Sequence, residues 1–415
     1  MRFVAALSVV LAHAVPKIMP VPDYPPLWHL ALSQAAGLGM PLFFVLSGFV
    51  IQYNYFDAIV RRPGDGLARF FVARFARLYP LYIVCVAFDI AYRYGYSQVS
   101  KASIEAIPFY ATLTQAWIYK VIGKFNLIFQ FGTMSQITWS ISTEFFFYIA
   151  FPVVCLVLAS VRGLRSRLVA WGCLAAIVAL ALAVVVANLD VINAHAAAFF
   201  GPVADADVDK EQSFVTWLLY ISPYFELAAF LTGCLVASIY MDLQDRPLSA
   251  AERKWGGLAT LICAAAVLTV HIALNVATAL PSAIGEAVRQ TNLIMVPPIA
   301  ALLFCCARYD GALARFLGSR LMVRGGEISY SMYLLHMLSI DAFRWEAAVI
   351  SAPRVALADG LRLLATLTCV LGAANLTYHL IEMPGKRFVT NLLLGWRAKS
   401  KTVSLAHARS PAAST

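Results

Sequence analysis

The sequence predicts an all-α polytopic membrane protein with about ten transmembrane helices and with both termini in the cytoplasm. Of its 415 residues, 61% are hydrophobic and only 13% are charged, whereas soluble domains carry roughly 25% charged residues. The mean hydropathy of +0.75 is too high for one soluble core of this size, so many apolar side chains must face lipid. Basic residues collect in alternate breaks between the apolar runs, which indicates the orientation.

A helix needs about 20 apolar residues to cross a bilayer. Ten apolar runs of the sequence reach or nearly reach this length. They lie at 2–19, 36–56, 74–94, 136–159, 169–187, 215–240, 256–275, 291–307, 328–345 and 359–381. With a cytoplasmic N-terminus, most of the 32 Lys and Arg residues fall in the breaks assigned to the inside. The net charge of +10 is then explained by membrane orientation, and no nucleic-acid partner is expected.

Two regions leave alternatives open. The first run is short for a span, and Arg2, the apolar residues after it and the A-x-A triplet 12–14 also resemble a signal peptide. The apolar run Ile107–Ile122 lies within the segment 104–135. Counting that run as a span would put the basic break Arg162–Arg167 outside, so we expect an outer-surface or re-entrant segment instead.

The whole apolar part, 1–387, is expected to form a single transmembrane domain, followed by a cytoplasmic and disordered tail, 388–415. The eight cysteines contain no C-x-x-C pair and have no spacing typical of metal ligands. We therefore expect neither a metal site nor a disulfide framework.

Arg2 and His13 are the first ionisable residues within a predicted span. Such residues are costly in lipid and are therefore candidates for a functional role. They lie eleven residues apart, which is about three helical turns. Both side chains therefore share one helix face, about 16 Å apart along the axis. The structural alternative is a positive-inside anchor plus a histidine that bonds to a neighbouring helix.

Two further clusters follow along the chain. In FFVLSGFVI, Ser47 and Gly48 permit close helix approach; a serine nucleophile is the alternative, but no G-x-S-x-G surrounds it. In RFFVARFARLYPLY, Arg74 and Arg77 lie one turn apart at a cytoplasmic helix entrance. A pair of guanidinium groups suits a phosphate or pyrophosphate, although anchoring by positive charge also explains their presence.

The fourth cluster is TWSISTEFFFYIAFP, in which Glu144 lies among aromatic residues in the outer half of a span. A carboxylate at that depth needs partners. Four neighbouring side chains are candidate donors to it: Trp139, Ser140, Ser142 and Thr143. Helix-to-helix hydrogen bonding is the structural alternative. Glu226 and His336 are similar but weaker cases, for which a structural role is the favoured interpretation.

In chain order, seven segments resemble the acyltransferase-3 family of membrane acyltransferases: RFVAALSVVLAH, FFVLSGF, RFARLYPLY, TWSISTEFFFY, YFELAAFLTGCLVA, EISYSMYLLH and IEMPGKR. The resemblance covers Arg2 to Arg387. It implies transfer of an acyl group, commonly acetyl, from cytoplasmic acyl-CoA to a hydroxyl on a sugar-containing acceptor. The family's essential residues are an arginine and, after ten residues, a histidine; this pattern falls on Arg2 and His13. Its paired arginines fall on Arg74 and Arg77, and its glutamate on Glu144, so the resemblance implies that Arg2, His13 and Glu144 are catalytic. Supporting residues are expected among the same segments: Ser47, Gly48, Trp139, Ser140 and His336.

The mechanism expected from these residues uses acyl-CoA as a co-substrate, with no permanently bound cofactor. Arg74 and Arg77 hold the phosphates of CoA at the inner surface. His13 deprotonates the acceptor hydroxyl or accepts the acyl group transiently. Glu144 orients the imidazole or stabilises its charged form.

The resemblance also sets the expected location and partners, namely the bacterial inner membrane and a carbohydrate or glycolipid acceptor. Candidate acceptors are exopolysaccharide, lipopolysaccharide O-antigen, peptidoglycan, periplasmic glucans and small glycosylated metabolites. The sequence departs from the family in that Arg2 directly follows Met1 and no esterase-like segment follows the last span. For an outward-facing glycan, we therefore expect the protein to act alone or with a separate periplasmic transferase or polysaccharide-assembly proteins.

Two alternatives come from other functional classes. A transporter or flippase of an amphiphilic glycan would use buried His, Glu and Arg as a proton or substrate path, but the sequence shows no two related halves. A non-catalytic protein of a polysaccharide export system is the other alternative.

Overall fold

The computed structural model describes residues 1–19, 26–95, 101–123, 125–201, 212–279, 291–349 and 356–408. In this part of the chain the structure is helical almost throughout. The one sheet found there is a two-stranded antiparallel ladder of β1, Val121–Ile122, and β2, Phe125–Asn126.

The helices of the first half are α1 Arg2–Ile18, α2 Leu27–Ser33, α3 Ala36–Arg61, α4 Pro63–Gly95, α5 Lys101–Ala111, α6 Thr133–Ile137, α7 Trp139–Ser160, α8 Leu164–Ala187 and α9 Leu189–Phe200. Those of the second half are α10 Phe214–Thr216, α11 Pro223–Leu243, α12 Ala250–Ala279, α13 Val296–Arg308, α14 Ala312–Leu317, α15 Arg320–Glu327, α16 Ser329–Val349, α17 Ala356–Thr377 and α18 Met383–Ala408. Short 3₁₀ turns at Leu127–Phe129 and Leu293–Met295, and π turns at Trp217–Ile221 and Tyr378–Glu382, join some of them.

Within the described residues, seven helical stretches are long and apolar enough to cross a membrane: Ala36–Arg61, Pro63–Tyr92, Thr133–Ser160, Leu164–Ala187, Phe214–Leu243, Ala250–Val276 and Ala358–Gly395. Each coincides with a span predicted from the sequence, so the chain is an all-α, multi-pass membrane protein. The three other predicted spans, 2–19, 291–307 and 328–345, are helical too, but they are shorter or less apolar than a spanning helix requires. The count of about ten and the side of each terminus stay predictions.

Helices α3 and α11 form the centre of the bundle. They approach closely because small residues face each other: a Cβ on Gly48 would collide with the carbonyl oxygen of Phe230, and one on Gly233 with that of Val45. This is the close helix approach predicted for Gly48. Helix α1 packs on α3 and on α16, so it too lies inside the bundle.

The segment 104–135 does not form a spanning helix. Helix α5 ends at Ala111, and the chain continues through the β1–β2 hairpin and the 3₁₀ turn. Buried hydrogen bonds fix it to the bundle: the Tyr82 hydroxyl donates to the carbonyl of Tyr110 (2.7 Å), and the Gln115 amide donates to the Tyr82 hydroxyl (3.1 Å). Its placement at the outer surface or as a re-entrant loop stays a prediction.

At the C-terminal end, the chain after residue 387 is helical as far as Ala408, where disorder was expected. Apolar helix formers, Leu392 to Leu394, continue the pattern after the proline in the motif IEMPGKR. Residues 409–415 lie outside the described residues. The division of the chain at residue 387 stays a prediction.

Candidate active site

A cavity opens where α1 begins and where α3, α4, α7 and α16 meet. The space that protein atoms leave unfilled there is about 590 Å³, which includes the open solvent at its mouth. Its walls are mostly apolar, and its polar side chains come from all five helices: Arg2, Ser47, Arg77, Ser140, Glu144, Ser329, Tyr330 and Tyr333. Five of these eight were singled out from the sequence, and the fold brings them together.

Two guanidinium groups, those of Arg2 and Arg77, line this cavity, and the charge of each acts on the other. Among the described residues, neither makes a hydrogen bond or an ion pair. The two guanidinium groups outnumber the one carboxylate in the lining, that of Glu144, so they repel each other in this partly enclosed space unless a further anion lies between them. The cavity is therefore suited to a negatively charged ligand such as a phosphate.

Arg74 differs from Arg77 although it lies only one turn away. Its Nη2 atom donates to the hydroxyl of Tyr55 (3.0 Å), and its guanidinium lies over the rings of Tyr55 (4.9 Å) and Tyr148 (6.0 Å). Arg74 is absent from the lining of the cavity. The two arginines predicted to act as a pair thus have different surroundings, since one faces the cavity and the other packs between aromatic rings.

Glu144 accepts two hydrogen bonds at the same oxygen, Oε1, from the hydroxyls of Ser47 (3.0 Å) and Tyr148 (2.6 Å). Neither bond was predicted. Tyr148 follows Glu144 by four residues, so the helix period alone could have indicated it. Ser47 is on α3 and could not be found from sequence spacing. Its role here is to hold Glu144, while the neighbouring Gly48 serves helix packing.

The four donors predicted for Glu144 all bind elsewhere, so that expectation was wrong. Ser142 and Thr143, two positions and one position before Glu144, point to other helix faces and donate to the carbonyls of Leu113 (2.7 Å) and Ile221 (2.9 Å). The Trp139 indole packs against the rings of Phe44 (6.3 Å) and Tyr220 (5.0 Å). Ser140, the fourth, belongs to a bridge between α7 and α16.

In that bridge, the Ser140 hydroxyl donates to the Tyr333 hydroxyl (2.7 Å), which itself donates to the carbonyl of Ile137 (2.7 Å). Tyr333 lines the cavity and is buried. The bridge therefore sets the position of α16 against α7, and with it the position of His336, one turn further along α16. Tyr333 was not singled out from the sequence, because a tyrosine in an apolar run carries no special signal.

His13 lies in contact with His336, not with Glu144. The Nε2 atom of His336 is 3.2 Å from Nδ1 of His13, and the ring centroids are 5.1 Å apart. Among the described residues no hydrogen bond joins His13 to Glu144, so the expected orientation of the imidazole by Glu144 is not seen. His336 occupies that position instead. His13 is also absent from the lining of the cavity, since it lies about 16 Å along α1 from Arg2.

Beyond the histidines, Lys17 and Asp341 form an ion pair (3.5 Å) between α1 and α16, and Thr133 donates to Asp341 (2.7 Å). No group of His, Cys, Asp or Glu residues in the described ranges could hold a metal ion. Glu226 is fully buried, and its carboxylate has no hydrogen-bond partner within the described part of the chain. It does not line the cavity.

Comparison with known proteins gives two matches. A family model described as an acyltransferase domain, acyltransferase-3, matches residues 1–344. The acyltransferase MdmB of Streptomyces mycarofaciens is 25% identical over 405 residues, which covers 94% of this chain and 91% of that protein. No solved structure matches the chain.

Proposed function

The chain belongs to the acyltransferase-3 family and is a membrane acyltransferase, and we propose that it moves an acyl group, acetyl in the first instance, from cytoplasmic acyl-CoA to a hydroxyl of a cell-surface or exported carbohydrate. The observation that carries the donor side of the proposal is the pair of guanidinium groups, Arg2 and Arg77, which line one cavity and have no hydrogen-bond partner among the described residues. Family membership favours the enzyme over the transporter and over the non-catalytic assembly protein.

The donor site of the proposal uses Arg2 and Arg77 for the phosphates of acyl-CoA. Among the described residues, neither guanidinium group donates a hydrogen bond, whereas Arg74 already donates one to Tyr55. This changes the expected site, because Arg74 becomes a residue that supports the cavity wall through Tyr55 and Tyr148. The long flexible arm that joins the diphosphate of CoA to its thioester then bridges the distance between Arg2 and His13.

The acyl transfer itself uses His13 as the general base. Its imidazole takes the proton of the acceptor hydroxyl while the oxygen attacks the thioester carbonyl carbon. The C–O bond forms, the C–S bond breaks, and the imidazolium returns the proton to the departing thiolate. Protons and charges are balanced at the end of the cycle, so the reaction needs no further reactant.

Glu144 acts in this proposal on the donor side. Its carboxylate is held by Ser47 and Tyr148 and interacts electrostatically with Arg2 and Arg74. It therefore keeps the guanidinium of Arg2 within the cavity when no anion is bound. Removal of this carboxylate leaves the positive charges of the empty cavity uncompensated.

For the membrane topology we propose ten spans with both termini in the cytoplasm. Helices α1, α13 and α16 add to the seven long apolar ones, and all three pack against spanning helices. Seven spans put the termini on opposite sides, whereas ten put them on the same side. Green fluorescent protein fused to either end should fluoresce, and alkaline phosphatase fused there should be inactive; phosphatase activity at one end only would overturn the ten-span arrangement.

Transfer itself is tested with purified protein in lipid nanodiscs, acetyl-CoA labelled in the acetyl group, and cell-surface carbohydrate prepared from a deletion strain. The wild type should label the carbohydrate at ester-linked hydroxyls, which NMR detects as O-acetyl groups. His13→Ala should lower the rate about 10²- to 10⁴-fold, the usual contribution of a general base. His195→Ala is the matched control, because His195 makes the same kind of bond to a carbonyl four residues earlier (2.7 Å) but is exposed.

Full activity of His13→Ala would remove His13 from the mechanism. Acetyl transfer to water or protein alone, with no carbohydrate labelled, would overturn the acceptor class. Comparison of the surface carbohydrate of wild-type and deletion strains by NMR then identifies which polymer carries the ester, and mass measurement of the ester identifies the acyl chain.

A further inference from the structure

The contact between His13 and His336 also defines which ring nitrogen of His13 is free to act as a base. Each imidazole places its Nδ1 atom next to a backbone carbonyl of its own helix: that of His13 is 3.0 Å from the Val9 oxygen, and that of His336 is 2.5 Å from the Tyr333 oxygen. The two rings meet through Nε2 of His336 and Nδ1 of His13, 3.2 Å apart.

A carbonyl oxygen can only accept a hydrogen bond, so both Nδ1 atoms must carry the proton. A neutral His336 protonated at Nδ1 has a lone pair at Nε2, and this atom accepts from the Nδ1–H of His13. That N–H is shared between the Val9 oxygen and Nε2 of His336, an arrangement that is common near helix carbonyls. The lone pair of a neutral His13 is therefore at its Nε2 atom.

The opposite arrangement, in which His336 is cationic and donates from Nε2, would bury a positive charge. His336 is fully buried, and within the described residues no carboxylate is bonded to either ring. The carboxylate of Asp341, which is also on α16, is already paired with Lys17 (3.5 Å). An imidazolium without a counter-charge is costly at such a place, so the neutral pair is favoured.

We propose that His336 is a positioning residue that holds His13 as the Nδ1–H tautomer and so makes Nε2 of His13 the atom that takes the proton of the acceptor hydroxyl; the kinetic part of this inference rests on the proposed function. When His13 is protonated during the reaction, its Nδ1–H still donates to Nε2 of His336, so the ring does not turn. The bridge of Ser140, Tyr333 and Ile137 keeps His336 in place.

The tautomer can be measured without any assay of activity. Protein labelled with ¹⁵N-histidine in lipid bilayers, with the signals of His13 assigned from a His13→Asn variant, is studied by solid-state NMR at a pH at which the ring is neutral. The expected spectrum shows a protonated Nδ1 and an unprotonated Nε2 for His13. A protonated Nε2 would overturn the proposal, whatever the protein catalyses.

The positioning role is then measured by kinetics with three variants. His336→Leu removes the acceptor for His13 and should lower kcat about 10- to 100-fold, the loss seen when metal-bound histidines lose the partner that orients them, while KM for acetyl-CoA stays unchanged. His336→Gln keeps an amide oxygen that can accept from Nδ1–H, so it should restore most of kcat. His271→Leu is the packing control, because His271 is also buried and bonded to a carbonyl, that of Ala31 (3.0 Å).

Wild-type kcat for His336→Leu, or equal losses for His336→Leu and His336→Gln, would overturn the positioning role. Where His336→Leu does not fold, the NMR tautomer and the rate of His336→Gln decide. If His13→Ala is fully active while the NMR shows the expected tautomer, then the proposed base fails and the tautomer assignment stands, so the two failures are distinguishable.

Discussion

Substitution of Arg77 by glutamine tests whether Arg77 binds the ligand while its neighbour Arg74 stabilises the fold. Arg77 lines the cavity and has no protein partner within the described residues, whereas Arg74 is bonded to Tyr55 and packed on Tyr148. If Arg77 holds a CoA phosphate, Arg77→Gln removes a charge-assisted contact to the ligand and no contact within the protein. Arg74→Gln removes contacts within the protein and no contact to the ligand.

The size of each effect follows from the contacts. A hydrogen bond to a charged group is worth about 1.5–3 kcal/mol, and each 1.4 kcal/mol is tenfold in affinity, so Arg77→Gln should raise the Kd for CoA about 10- to 150-fold. Arg74→Gln loses one hydrogen bond (3.0 Å) and a cation–π contact (4.9 Å). Together these are worth about 2–4 kcal/mol of folding stability, and the Kd should change less than fivefold.

Equilibrium binding of radiolabelled CoA to protein in nanodiscs measures the affinity, and thermal unfolding of the same samples measures the stability. Arg62→Gln is the control for loss of a nearby positive charge, since Arg62 is exposed and does not line the cavity. An unchanged Kd for Arg77→Gln, or an equal rise for Arg74→Gln, would refute the assignment. A rise for Arg62→Gln of the same size would mean that general charge attraction, rather than a built site, binds the anion.

Three further predictions concern the supports of the cavity. Glu144→Ala should destabilise the protein by about 3–5 kcal/mol, because its two hydroxyl donors lose their acceptor and the nearby guanidinium groups lose a compensating charge. Glu144→Gln keeps an acceptor oxygen and should cost clearly less; equal unfolding temperatures for the two variants would contradict this. Gly48→Leu should separate α3 from α11 and lower the yield of folded protein in detergent, whereas Gly372→Leu, which has open space around it, should match the wild type. Tyr333→Phe should cost about 2 kcal/mol for two lost hydrogen bonds and should lower kcat as His336 is loosened; an unchanged unfolding temperature would show that the bridge does not support α16.

The apolar runs predicted most of the bundle, and the differences follow from where each helix lies. Leu164–Ala187 is among the most apolar stretches and has only 6% of its most apolar window buried, whereas Ala36–Arg61 is less apolar and has 67% buried. Lipid selects for apolar residues all around a helix, while protein neighbours accept polar ones. Helix α1 has only 17 residues, and α16 carries ionisable residues within the bundle, so neither is among the seven long apolar stretches.

The site could be predicted as a set of residues but not as a set of contacts. Helix period placed Arg2 and His13 on one face, and the motif order identified Glu144. No periodicity could reveal that Ser47 binds Glu144 or that His336 binds His13, because these contacts join helices that are distant in sequence. The same limit explains the mistaken donors of Glu144, which were sought among its neighbours in the chain.

Helix α1 connects the two halves of the proposed chemistry, and its packing shows why it can. A Cβ on Gly39 of α3 would lie 2.7 Å from the carbonyl oxygen of Ala5, and one on Gly325 of α15 would collide with the ring of Phe3. Both glycines therefore let neighbouring backbones close on the first turns of α1. Because a helix is stiff over about three turns, fixing those turns also fixes the distance from Arg2 to His13. The binding of phosphates at one end can then set the position of a thioester near the base at the other, which is the form of orientation that accelerates a bimolecular transfer most.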